Sequence, residues 1–111
     1  MKLRTVRPLV RDIMELDKLL HERARLAILT LLAIRGKVEY RYLQLITGMS
    51  SGALSSHLYK LEEEGIVNVN RKEVGRRSLI EVSLTREGER RFKRYLQTLR
   101  KLTEVVLEAT S

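Results

Sequence analysis

Apolar residues recur at helical spacing along the first third of the chain. After Pro8, which is well suited to the first turn of a helix, apolar residues follow at steps of four, three and four positions. A second and more apolar segment extends from Glu22 to Ile34 and is followed by Gly36. The pattern predicts two helices, the second of them buried at the centre of the fold. The apolar face of the first is predicted to comprise Leu9, Ile13, Leu16 and Leu20.

Two shorter helices with a three-residue turn between them are predicted in the middle of the chain. Residues 39–47 place Leu43 and Ile46 on an inward face, and a glycine follows them. Ser50 can then cap a helix that continues to Glu64, because its side chain can accept a backbone N–H bond. The buried stripe of this helix is predicted to comprise Leu54, Leu58 and Leu61.

The pattern changes from helical spacing to alternation after Gly65. Residues 66–70 and 79–84 alternate as two half-buried strands, and the charged residues 71–77 between them are predicted to form a turn. Thr85 can cap a last helix that runs to about Ala109. The sequence therefore predicts a mainly α chain with one small β-hairpin, an α+β fold.

The order of these elements is that of a winged helix-turn-helix, in which the second helix of the pair enters the major groove of DNA. The whole chain, residues 1–111, is predicted to form one such domain. The helix-turn-helix occupies residues 39–64, the wing residues 66–84 and a C-terminal dimerisation helix residues 85–109. The alternative is that the helix pair is only a compact way to pack three helices.

Composition and charge indicate which partners to expect. Lys and Arg number 22 against 14 Asp and Glu, which gives a net charge of +8 and favours nucleic acid as the partner. There is no Cys and there are two His, too few for a zinc site, and no phosphate loop or catalytic grouping is present. We therefore expect no enzyme activity, no catalytic residues, no metal and no cofactor. The longest apolar stretch, from Leu26 to Ile34, is too short to span a bilayer, so we expect a cytoplasmic protein without a membrane partner.

Candidate DNA contacts lie on the predicted second helix of the pair and in the charged turn. The helix face opposite the leucine stripe carries small, hydroxyl and basic side chains that can approach bases or phosphates. Three consecutive glutamates, residues 62–64, predict that only the N-terminal half of the helix enters the groove. The turn is basic and can reach the minor groove. The candidate residues are Ser50, Ser51, Gly52, Ser55, Ser56, Tyr59 and Lys60 on the helix, and Arg71, Lys72, Arg76 and Arg77 in the turn.

A heptad seam on the last helix predicts a dimer of two identical chains. Its apolar residues are spaced by three, four, three and four positions, as in helices that pack on a partner helix. The first helix has similar spacing, so the alternative is a bundle of both helices within one chain. The residues predicted at the dimer interface are Leu9, Ile13, Leu16, Phe92, Tyr95, Leu99, Leu102 and Val106.

Several stretches in this order resemble the MarR/ArsR-type winged-helix regulators, in particular their short stand-alone form. The resemblance covers Leu16 to Leu102 and implies a dimeric transcriptional regulator that binds double-stranded DNA. Ala53 stands where such proteins often have Asn or another polar residue, and the Cys-containing motif of ArsR-type metal sensors is missing. The matching stretches are Gly48-Met49-Ser50, Gly52, Leu54-Ser55-Ser56-His57-Leu58, Lys60-Leu61-Glu62, Gly65-Ile66-Val67, Gly75-Arg76-Arg77 and Leu84-Thr85-Arg86-Glu87-Gly88.

Two other functions fit the same pattern. One is a winged-helix module that docks on an acidic protein, and the other is non-specific, chromatin-like DNA binding. The sequence does not indicate an operator, the direction of regulation or a small-molecule effector.

Overall fold

The computed structural model describes residues 3–111, which form five helices and a three-stranded antiparallel sheet of order β1-β3-β2. This architecture confirms the predicted α+β winged-helix fold. The elements are α1 (Leu3–Met14), α2 (Arg23–Arg35), β1 (Val38–Glu39), α3 (Tyr40–Thr47), α4 (Ser51–Glu63), β2 (Val67–Val74), β3 (Arg77–Leu84) and α5 (Arg86–Thr110).

Helix α2 is bounded by the residues that the sequence indicates. The Glu22 carboxylate accepts hydrogen bonds from the backbone N–H groups of Ala24 and Arg25, at 2.7 and 3.1 Å, and so caps the helix. Gly36, with φ of 84°, ends it. Burial alone would raise the pKa of the Glu22 carboxyl, but these two hydrogen bonds, with His57 and Arg25 nearby, hold it below the ordinary value.

The core lies between α2, α4, α5 and the sheet. Its members are apolar except for the Tyr95 hydroxyl, which lies 2.6 Å from Nδ1 of His21. Helix α5 approaches the core through Gly88, where an added Cβ would lie 2.0 Å from the carbonyl oxygen of Ile66. Thr85 fixes this approach, because its N–H donates to the same carbonyl at 3.0 Å. The buried side chains of this cluster are Leu20, Ile28, Leu29, Leu32, Val38, Leu43, Leu54, Leu58, Leu61, Ile66, Val67, Val82, Phe92 and Tyr95.

The first helix differs from the prediction at both ends. It contains Pro8 in its interior rather than beginning there, and it stops at Met14, so Leu16 and Leu20 lie beyond it. A proline inside a helix removes one hydrogen bond and crowds the carbonyl four residues before it, and here both effects fall on the exposed side of α1, where Pro8 lies. The helix gives way to a turn in which Asp17 Oδ1 accepts from the N–H of Leu19 at 3.1 Å, a local bond that competes with helical hydrogen bonding.

Helix α3 buries less than expected. Leu43 is fully buried, but Ile46, predicted to face inward, is 52% exposed. An eight-residue helix has about two turns, and in α3 only Leu43 is buried in the core. The prediction for Ile46 is therefore wrong.

The hairpin is longer and its turn is tighter than expected. Residues predicted as a charged turn belong mostly to the strands, because pairing continues from Val67 opposite Leu84 to Val74 opposite Arg77. Gly75 and Arg76 alone form the turn, with φ of 63° at the glycine and no positive φ at the arginine, the signs of a type II′ turn. The charged side chains do not prevent strand pairing because the outer half of the hairpin is solvated on both faces.

Candidate nucleic-acid interface

Helix α4 begins and packs as its sequence indicates. The Ser50 hydroxyl oxygen accepts from the N–H of Ala53 at 3.1 Å, which caps the helix. The predicted leucine stripe is buried and anchors α4 in the core. The opposite side of the helix is open to solvent, and every candidate on it is exposed: Ser50, Ser51, Gly52, Ser55, Ser56, Tyr59 and Lys60.

The Tyr40 side chain joins the start of α4 to the start of α3. Its hydroxyl donates to the backbone carbonyl of Ser51 at 2.8 Å and lies 3.0 Å from Ser51 Oγ and 2.8 Å from Ser55 Oγ. Tyr40 was not among the sequence candidates. Its contact depends on how α3 and α4 cross, and no spacing along the chain indicates that crossing.

Tyr59 and Glu63 form a second polar contact on the exposed side of α4. The Tyr59 hydroxyl donates to Glu63 Oε2 at 3.0 Å, and this hydrogen bond raises the pKa of the tyrosine. Tyr59 is 63% exposed, so its ring is available to a partner while its proton is held by the glutamate. The carboxylate of Glu63 therefore lies beside a candidate groove residue.

The four basic candidates on the hairpin are all exposed, but they do not form one patch. Arg71 is opposite Ile80 in the strand register and shares the sheet face on which Val67 and Val82 are buried. Lys72 lies on the other face, where its Nζ is 2.6 Å from Glu81 Oε1. The hydrogen bond from Lys72 lowers the pKa of Glu81.

The arginines of the hairpin differ from the paired Lys72. Within residues 3–111, Arg71, Arg76 and Arg77 form no ion pair. Arg71 also lines a cavity of about 150 Å³ between the hairpin and α4, together with Tyr40, Ser55 and Tyr59. The inner face of the hairpin and the exposed side of α4 thus border the same space.

His57 points away from this surface. Its Nδ1 lies 3.1 Å from Arg25 Nη1 and 3.7 Å from Glu22 Oε2, at the start of α2. The contact is structural, as its place at the edge of the leucine stripe indicates.

The far end of α4 is tied to α5 by charge. Arg91 pairs with Asp17, with Nη2 2.9 Å from Oδ2, and its Nη1 lies 3.5 Å from Glu64 Oε1. This contact draws the last of the three glutamates toward α5.

The heptad seam of α5 divides into two parts. Phe92 and Tyr95, predicted at a dimer interface, are instead buried in the core of one chain, 4% and 3% exposed. Leu9 is also buried within the chain, and Leu16 packs against the core. The seam begins on the domain's own core because the first turn of α5 approaches that core closely, at Gly88. Ile13, Leu99 and Leu102 are half-buried, and Val106 is 44% exposed.

Among residues 3–111, no group of three or more His, Asp or Glu side chains is arranged to hold a metal ion. No helix in the same part of the chain is both long and apolar enough to cross a membrane.

Comparison with known proteins identifies the domain. A family model described as a winged helix DNA-binding domain matches residues 24–103. A transcriptional regulator homologue from Pyrococcus horikoshii OT3 is similar in structure, with a TM-score of 0.81 and 26% identity, over 89% of this chain and 97% of that one. A comparison with curated proteins gave no significant match.

Two further solved structures share the fold. MarR superimposes with a TM-score of 0.71 at 21% identity, over 98% of this chain and 77% of its own. YusO from Bacillus subtilis gives a TM-score of 0.70 at 21% identity, over 95% of this chain and 72% of its own. The chain belongs to the winged helix DNA-binding domain family, and its fold is that of the MarR-type transcriptional regulators.

Proposed function

We propose that this protein is a homodimeric transcriptional regulator that places α4 in the major groove of double-stranded DNA and the hairpin tip at the minor groove. The proposed groove contacts come from Ser51, Gly52, Ser55, Ser56 and Tyr59. Ser50 and Lys60 flank them, and Arg71, Arg76 and Arg77 supply the main phosphate and minor-groove contacts.

The observation that carries this proposal is the shared cavity between the exposed side of α4 and the inner face of the hairpin. Arg71 borders it from one side, and Ser55 and Tyr59 from the other. A duplex that meets α4 therefore also meets the hairpin. None of the three arginines forms an ion pair in the described part of the chain, although Glu62 lines the same cavity as Arg71, so their charge is available to phosphates.

Charge on α4 itself supports a division of labour. Its one basic residue, Lys60, stands against three glutamates at residues 62–64, so the helix and its cap contribute no net attraction to a polyanion. The hairpin arginines then supply affinity, and α4 supplies selectivity. Lys72 has a smaller part because Glu81 already neutralises it.

The second half of the α5 seam supports the dimer. The seam continues past the core through Leu99 and Leu102 to Val106, and exposure rises along it from 3% at Tyr95 to 44% at Val106. Helix α1 contacts α5 and buries Leu9, but it leaves Met14 77% exposed. A partner chain at this end would bury apolar surface that the single chain leaves in water.

Charge reversal tests the DNA-binding part of the proposal. The double variant Arg76→Glu/Arg77→Glu should lose retention of duplex DNA, because it places four negative charges per dimer against phosphates. The control is Lys18→Glu/Arg23→Glu, which makes the same charge change at two exposed residues outside α4, the hairpin and α5.

The two other functions appear as outcomes of this test. Unchanged DNA retention in the Arg76→Glu/Arg77→Glu variant, with loss of a protein partner, would indicate a protein-docking module. Equal affinity of the unmodified protein for unrelated duplexes would indicate non-specific packaging.

A further inference from the structure

The first observation concerns the hydroxyl protons near Tyr40. A tyrosine hydroxyl has one proton to donate and can also accept. Its contact with the Ser51 carbonyl, at 2.8 Å, uses that proton, because a carbonyl oxygen can only accept. We therefore assign the donor role to the two serine hydroxyls near it, Ser51 Oγ at 3.0 Å and Ser55 Oγ at 2.8 Å, because the tyrosine proton is already used. Both serines then present lone pairs, and no proton, to the surroundings.

The second observation is the contact one turn further along α4. The Tyr59 hydroxyl donates its proton to Glu63, so the phenol oxygen also presents lone pairs only. The carboxylate of Glu63 is itself an acceptor. This contact is independent of Tyr40, since it involves other residues on the same helix.

Together these hydrogen bonds leave mainly acceptors on the exposed side of α4. Four side-chain hydroxyls lie between residues 51 and 59, and three of them, Ser51, Ser55 and Tyr59, commit their protons inside the protein. Ser56 is the exception within the described part of the chain. The surface that faces a partner is therefore rich in acceptors.

We propose that α4 selects the amino-bearing bases adenine and cytosine on one DNA strand, and that Tyr40 is the positioning residue that sets this preference. The inference rests on the proposed function, in which α4 lies in the major groove. There, adenine N6 and cytosine N4 are donors, whereas thymine O4 and guanine O6 and N7 are acceptors. An acceptor on α4 can therefore bond to adenine or cytosine, whereas it leaves the acceptors of thymine and guanine without a hydrogen-bond donor.

This preference differs from discrimination between A·T and G·C pairs. Each base pair contains one amino-bearing base and one keto base in the major groove. The acceptor surface therefore distinguishes the orientation of a pair: A or C on the strand that α4 contacts, T or G on the other. The same surface has little to offer phosphate oxygens, which are also acceptors, so phosphate contacts fall to the hairpin arginines.

Selection of bound duplexes from a random pool tests the proposal with three proteins: the unmodified chain, Tyr40→Phe and Tyr42→Phe. Tyr42→Phe is the matched control, because it removes a hydroxyl from the same helix and keeps the ring on which Arg35 stacks at 4.9 Å. We expect the unmodified chain and the control to enrich positions with A or C on one strand over G or T by about tenfold. Tyr40→Phe should lose that preference at the positions facing Ser51 and Ser55, because the freed serine protons can then be donated.

A second measurement removes the amino group from the DNA. Replacing an adenine of the selected site by purine, which lacks N6, should weaken binding by the unmodified chain about tenfold and leave binding by Tyr40→Phe nearly unchanged. Ser55→Ala, on an exposed helix face that accepts alanine readily, should lose the preference at one position and serves if Tyr40→Phe does not fold.

The outcomes separate this inference from the proposed function. Enrichment of a motif without amino/keto orientation, or the same motif from Tyr40→Phe as from the unmodified chain, would overturn the inference and leave groove binding intact. Failure of the unmodified chain to enrich any sequence would overturn sequence-selective binding and this inference with it.

Discussion

The salt dependence of DNA binding follows from which basic side chains are free. Arg71, Arg76 and Arg77 form no ion pair in the described chain, whereas Lys72 is held by Glu81 at 2.6 Å. If each free arginine contacts one phosphate, a dimer makes about six contacts. The logarithm of the binding constant falls by about 0.9 per contact for each tenfold rise in salt, so we expect a slope of about −5.

Removing two of the three arginines gives the sharpest form of this prediction. Arg76→Ala/Arg77→Ala leaves one arginine per protomer, about two contacts per dimer, and the slope should fall to about −2. Between about 50 and 200 mM salt, the affinity of the unmodified protein should then drop roughly a thousandfold, and that of the variant roughly tenfold. Fluorescence anisotropy with a labelled duplex measures both slopes.

The control removes a basic side chain that the structure shows to be paired. Lys72→Ala/Glu81→Gln deletes the pair without changing net charge, and its slope should differ from that of the unmodified protein by less than about one. An equal loss of slope in this control and in Arg76→Ala/Arg77→Ala would refute the assignment of phosphate contacts to the free arginines.

Three further predictions concern stability and assembly. Gly88→Ala should lower the free energy of unfolding by about 2 kcal/mol or more, because the added Cβ would meet the Ile66 carbonyl oxygen at 2.0 Å. Gly52→Ala, in open space on α4, should raise the free energy of unfolding by about 0.5 to 1 kcal/mol. Thermal unfolding compares the two variants, and equal effects would contradict the close approach at Gly88. Val106→Asp should shift the dimer toward monomer in sedimentation at micromolar concentration, and an unchanged mass would exclude this end of α5 from the interface. Because the pKa of Glu22 is lowered in the folded state, its helix cap contributes full stabilisation above the ordinary carboxyl pKa of 4.5, and this stabilisation is lost as pH falls through the lower folded pKa. Chemical denaturation should therefore show that the stability difference between the unmodified protein and Glu22→Gln shrinks on acidification.

Much of the fold was predictable because local signals agree with it. The Ser50 and Thr85 caps, the leucine stripe of α4 and the glycine stops each have a strong local signature, and the structure confirms them. The errors fall where local signals are weak. Pro8 lies inside α1 although an interior proline is unfavourable, and the charged residues of the hairpin pair as strands although such residues are depleted in strands.

Long-range contacts set the limits of the sequence reasoning about the site. The exposed serines of α4 could be placed by helical spacing, but Tyr40 reaches them from another helix, 11 and 15 positions away. The pairing of Lys72 with Glu81 depends on strand register, which the predicted turn concealed. The heptad seam predicted that α5 packs on another helix, but it could not indicate that the first half of the seam, Phe92 and Tyr95, packs in the core of its own chain.

The central claim is that two copies of this chain place α4 in successive major grooves. The most direct test of this claim is the symmetry of the DNA that the protein selects. Duplexes bound from a random pool by the purified protein should converge on a palindrome whose half-site centres lie about one helical turn, roughly 10 base pairs, apart. A single unpaired half-site, or retention of all sequences alike, would contradict the account.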